Sequence, residues 1–280
     1  MAVNLSNWYS NAIVGTPQVG ADVDIYEVSS NAKFAVGTGF ERSDGSVFRY
    51  SHFGGVLHVS GLLCSQDFSE SGTAQSDSRG TNVADCTQLS GQQFDVNTTG
   101  SYYVQVGFGN ISADRWAGGY LLISKDDSAL GVNHQGHTYR IKGNTASGTP
   151  AAQKLYIELY SPLQGTVGST SDISICGSLY ANLESATAQT DTQVAGVNVS
   201  PILTADSYGW VQTKGPVGIQ ADASYPATAG DVVTLSDTDT GQCTHASEAY
   251  IASLFHEPII GYCIDPGGAD NEFAFVNLNL

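Results

Sequence analysis

Short runs of β-branched and aromatic residues, separated by stretches rich in Gly, Asp, Asn and Ser, recur along this chain at intervals of roughly ten to thirty residues, with two longer gaps. That rhythm leaves little room for helices and favours antiparallel strands that reverse at tight turns. The runs fall at 24–28, 33–40, 47–50, 102–106, 119–123, 137–141, 155–159, 209–213, 231–235, 259–263 and 272–276. Asp44-Gly45, set between two of them, is a strong hairpin signal, because both residues tolerate the positive φ a tight reversal needs. Helical spacing shows at 247–255, where Tyr250, Ile251, Leu254 and Phe255 share a face, and more weakly at 183–189. Neither stretch belongs to a βαβ series, so a parallel-sheet fold is not expected. The expected fold is all-β, an antiparallel sandwich or barrel with one or two short helices.

Charge divides the chain. Of 280 residues 27 are acidic and 10 basic, for a net charge of −17, and no Lys or Arg follows Lys214. We therefore expect an N-terminal arm at 1–22, a β-rich domain at 23–199 and a small acidic β-barrel at 200–280. The stretch 65–99, mostly Ser, Asp, Gln, Thr and Gly, reads as a polar insert within the middle domain, and 161–171 as a shorter polar excursion. A surface this negative repels phosphate, which excludes a nucleic-acid binder held by backbone contacts. No apolar run is long enough for a membrane helix, and the first fifteen residues do not read as a signal peptide. Five scattered cysteines without a C-x-x-C pair point to reduced, buried thiols, although Cys64 and Cys86 are spaced to allow one bridge.

No residue pattern commits the chain to catalysis. There is no G-x-S-x-G elbow and no phosphate-binding glycine loop. Three His/Cys groupings, at His52/His58/Cys64, at His134/His137 and at Cys243/His245/His256/Cys263, are candidate zinc ligands; Cys243 and His245, two apart, would share a face on a strand, but a buried thiol beside a surface imidazole is the simpler reading. Asp237, Asp239 and Glu248 mimic part of a calcium loop; its fifth and sixth places hold Gly241 and Gln242 rather than an oxygen ligand and glycine, so an acidic turn is the simpler reading. We expect no catalytic residue, no metal and no cofactor. The sequons at Asn4, Asn97, Asn110 and Asn198 are expected of a chain rich in Asn, Ser and Thr. Large aromatics are the remaining candidates: Trp116 and Trp210, beside glycine-containing segments, and Trp8 and Tyr9 in the arm, as interface anchors. The two former rings would serve equally as sugar platforms if exposed.

Three stretches in order, GTGFERSDGSVFRYSHFGG at 37–55, AGGYL at 117–121 followed by HTYRIKGN at 137–144, and YGWVQTKGP at 208–216 with the Gly230-Asp231 turn and Ile260-Gly261, resemble structural proteins of tailed bacteriophages, especially those of aquatic hosts. That resemblance implies a non-enzymatic virion component on the capsid exterior, made in the host cytoplasm. Its expected role is decoration or cement, clamping major capsid subunits, in an assembly that is often trimeric. A head-fibre or tail-associated module that binds host glycans is the alternative.

Overall fold

The computed structural model describes residues 18–19, 23–66, 78–80, 97–107, 113–125, 134–146, 154–167, 171–186, 193–222, 227–236, 239–246, 258–266 and 272–280. The chain is all-β, and no helix occurs among the described residues. It forms two compact units: residues 1–67 with 179–280, and residues 68–178.

The first unit is an eleven-stranded sheet that closes on itself in part. Five strands make a ring: β3 (Val47–Phe53), β11 (Leu183–Ser185), β4 (Leu63–Gln66), β12 (Val194–Asn198) and β13 (Ser207–Gln220). The ring closes where β13 returns antiparallel to β3, from Ser207 opposite Phe53 to Lys214 opposite Val47. Residues 42–46 make the turn that leads into β3 from β2 (Gly39–Glu41), as Asp44-Gly45 predicts, with Gly45 at φ 84°. β1 (Gln18–Val19) adds a short parallel edge to β2.

β13 is fourteen residues long and belongs to two layers. Its first half lies in the ring; its second half pairs with β17 (Phe273–Asn279), and β16 (Ile259–Asp265), β14 (Val232–Leu235) and β15 (Cys243–His245) follow outward. Gly215 sits at the changeover with φ 92°, and a Cβ there would stand 2.8 Å from Ser46 Oγ, so the strand bends where no side chain can be fitted.

The second unit is a six-stranded sheet in the order β5 (Ser78–Gly80), β10 (Asp172–Cys176), β7 (Tyr120–Lys125), β8 (Thr138–Asn144), β9 (Lys154–Leu159) and β6 (Tyr103–Gly107). Leu121, Ile123, Tyr139, Ile141, Ile157 and Ile173 alternate inward from its strands into one core. Leu163 and Val167, inside the stretch read as a polar excursion, are buried in that core.

These boundaries differ from those that charge suggests. The step at 199/200 falls between β12 and β13, which are hydrogen-bonded neighbours, Val197 opposite Gln212. A barrel is present, but it takes β3 and β4 from the N-terminal quarter of the chain. The polar insert begins later than 65, since Ser65 and Gln66 are buried in β4. The weaker helix candidate opens on β11, where pairing with β4 and β3 overrides a local helical pattern. The stronger one, at 247–255, lies outside the described residues.

Candidate functional site

The aromatic residues singled out from the sequence do not form a surface. Trp210 is 4% exposed on β13, with its ring centroid 5.2 Å from Tyr50, 5.5 Å from Phe34 and 6.0 Å from Phe40. Trp116 is 5% exposed in the core of the second unit, and its backbone N–H donates to Asn144 Oδ1 at 2.9 Å. Buried rings stack on no sugar and reach no neighbour. Trp8 and Tyr9 lie outside the described residues.

Surface aromatics come instead from strands whose alternation has an apolar residue on both faces. On β17, Ala274, Val276 and Leu278 point into the core while Phe273 and Phe275 are about half exposed. Beside it β16 presents Tyr262 and Ile264, 56% and 44% exposed. Tyr262 stands opposite Asn277, and Phe275 opposite Asp265 across a bulge that includes Ile264. The four side chains therefore share one outward face. At about 200 Å² each when bare, they leave about 400 Å² of apolar surface, within the range of the largest patches on soluble monomers, which are often functional.

An open groove of about 370 Å³ borders this face, walled by Phe273, Phe275, Phe48 and Pro216. Gly61, at φ 79°, forms part of it, and a Cβ there would come within 2.5 Å of Phe273 Cε1, so the glycine is what lets that ring lie down. Arg42 and Asp44 supply its charge. The Arg42 guanidinium lies 5.5 Å from the Phe48 ring centroid. The Ser46 N–H donates to Asp44 Oδ1 at 2.8 Å and holds that carboxyl below the usual carboxylate range.

The second unit carries its own exposed row. Tyr120 on β7 stands opposite Arg140 on β8, and the Tyr160 N–H donates to the Arg140 carbonyl from beyond the end of β9. Both tyrosines are half exposed, and the Arg140 guanidinium is 5.6 Å from the Tyr160 centroid. The two faces differ in electrostatic setting. The first unit holds 4 of the 10 basic and 18 of the 27 acidic residues, a net −14, which leaves −3 on the second.

Among the described residues the histidine and cysteine groupings assemble no metal site, and His256 lies outside those residues. His134 is buried with His137 at 6.1 Å between ring centroids, and His52 packs on Tyr208 at 4.9 Å. Among the described residues no three His, Cys, Asp or Glu side chains gather closely enough to hold a metal ion. Cys64 is a free thiol, and Cys86 lies outside the described residues. Burial pushes the thiols of Cys64 and Cys243 up to about 12, whereas Cys176 is exposed. Iodoacetamide at about pH 8 is therefore expected to alkylate Cys176 on the folded chain and to reach Cys64 and Cys243 only after unfolding, since the thiolate is the reactive form. Peptide mass spectrometry reads the difference; equal labelling of all three would contradict the burial.

Two sequon asparagines prove structural, a role the spacing N-x-S/T does not signal. Asn97 is 4% exposed and Asn198 is 1% exposed, both bonded to backbone. No protein-family model, curated protein or solved structure matches this chain.

Proposed function

We propose that this chain is a non-enzymatic structural protein of a phage head, a decoration or cement protein that binds major capsid subunits and holds them together. One observation carries the reading: each of the two units presents an exposed, aromatic-rich sheet face, at Tyr262/Ile264/Phe273/Phe275 and at Tyr120/Arg140/Tyr160. A clamp has to grip in at least two places, and flat faces made from rigid strands suit contact with another folded surface better than capture of a small molecule. The three stretches that resemble phage structural proteins supply the biological setting. A net charge of −17 suits a particle exterior, where it keeps particles soluble and mutually repelled. Many copies that bind only the mature shell stabilise it by mass action. Burial of Trp116 and Trp210 in their own cores removes both rings as sugar platforms and as interface anchors alike, so the reading rests on the two exposed faces.

Mass spectrometry of purified particles tests the proposal. The expected result is the chain at a fixed ratio to the major capsid protein, with heads stripped of it releasing DNA at lower temperature. A chain abundant in lysed cells and missing from purified virions would overturn it.

A further inference from the structure

The outer face of the β13–β17–β16–β14 layer has a charge arrangement that matches itself. Its middle is neutral: Tyr262, Ile264, Phe273 and Phe275 are flanked by uncharged residues of β13 and β14, Pro216 and Val232 among them. Along these paired strands charge appears at two places, and Arg42 and Asp44 stand at the border of the face, in the groove beside Phe273 and Phe275. Lys214, the last basic residue of the chain, is exposed opposite Asn279. Asp265 is exposed opposite Phe275. Asn279 and Phe275 are four residues apart on β17, and Lys214 and Asp265 lie on the strands either side of it. The two charges are therefore roughly 16 Å apart, on a diagonal across the face, from about 3.3 Å per residue and about 4.8 Å per strand.

We infer that this face pairs with the same face of a second copy. A two-fold axis lying in the face, square to the line from Lys214 to Asp265, carries each of these positions onto the other. Every lysine then meets the partner's aspartate, twice per pair, which is the reciprocity an isologous contact requires. The operation also fixes the crossing. With the diagonal set by the strand spacings, the strands of the two copies cross steeply, near the orthogonal class of sheet packing. Aligned packing would lose the match, because it leaves Lys214 and Asp265 about two strands out of step.

The area fits a pair of modest strength. Three strands of seven residues and one of four give a footprint of roughly 400 Å² per copy, so the pair buries on the order of 800 Å², at the small, transient end of specific contacts. The overall repulsion between two units of −14 each is confined largely to residues outside this neutral centre and is screened beyond about 10 Å at ordinary salt. Weak pairing, with a dissociation constant on the order of 10–100 μM or above, is expected of so small a contact with its charge pairs at the rim. A three-fold assembly, which the phage resemblance implies, is not produced by this contact alone, because a face that pairs with itself is used up in a dimer. The pairing takes up one of the two faces named for the capsid grip, so in a dimer the grip falls to the Tyr120/Arg140/Tyr160 face, presented once by each copy; the pairing itself does not require a virion.

Sedimentation equilibrium of the full-length chain tests it, from low micromolar to millimolar concentration. A monomer–dimer equilibrium is expected. Lys214→Glu and Asp265→Lys should each weaken it at least 10-fold, by setting like charges against each other twice. The double exchange Lys214→Asp with Asp265→Lys should restore it to within about 3-fold, since the pairs re-form with their signs reversed. Phe275→Ser should leave a monomer. All four substitutions lie at exposed positions, and unchanged circular dichroism checks that the fold is intact. A monomer at every concentration, a trimer, or a double exchange no better than the single variants would overturn the pairing.

Discussion

Trp210→Ala should lower the stability of the first unit by about 3–5 kcal/mol, the usual loss when a buried tryptophan is cut back to a methyl. The ring touches Phe34, Phe40 and Tyr50, which reach it from the loop before β2, from β2 and from β3. It is the piece that fastens the early hairpin to β13, and the neighbouring rings are too large to collapse into the space without leaving their rotamers. For a unit of this length such a loss lowers the melting temperature by about 2–4 °C per kcal/mol, or about 10 °C in all. Trp210→Phe should recover more than half of it. Thermal unfolding followed by near-ultraviolet circular dichroism reads the shift, and a change under 3 °C for Trp210→Ala would show that the aromatic cluster contributes little.

Asn198→Ala should cost about 2–4 kcal/mol, through backbone groups it leaves unsatisfied rather than through volume. The side chain accepts from the Leu62 N–H at 2.7 Å and donates to the carbonyls of Val59 and Ser200 at 2.8 and 2.9 Å. It thereby ties the loop before β4 to the end of β12. Asn198→Asp keeps the acceptor and turns a donor pair into an anion facing two carbonyl oxygens. Burial and those oxygens raise the folded-state pKa of the new carboxyl above its unfolded value, so the penalty is present at neutral pH and fades as pH falls and the group takes up a proton. Denaturant titrations at neutral and mildly acidic pH should show the gap between Asn198→Asp and the unaltered chain narrowing on the acid side. A gap that widens would contradict this geometry.

What the sequence disclosed depended on where each strand's two faces point. β3, β7, β8, β9 and β17 alternate buried and less buried residues, and their runs were visible as strands. β4 and β12 are buried at every position, LCSQ and VAGVN, so no period of two exists to be seen. Both are ring strands, which is why the barrel's membership was hidden while the all-β class was plain. The site was concealed by a related effect. Phe273 and Phe275 alternate with Ala274 and Val276, apolar on both faces, and a strand of that kind reads as core on either side. Trp116 and Trp210 drew attention by size alone, and size is equally what a core requires. The diagonal of Lys214 and Asp265 depends on the pairing register of three strands that span 73 residues of sequence, a relation no local pattern holds.

The connection between β4 and β11 is a hairpin whose loop is an entire folded unit, with Gln66 directly opposite Leu183. On the ribosome, β3 and β4 emerge well before the strands that complete their ring. At about 5–20 residues per second the intervening 111 residues take on the order of ten seconds to appear. During that interval the inserted unit has everything needed to fold, while Phe48, Tyr50 and Phe53 wait with their apolar faces open. A chain built this way is expected to need protection of its first strands through most of its synthesis, until Lys214, the last β13 residue paired with β3, clears the exit tunnel.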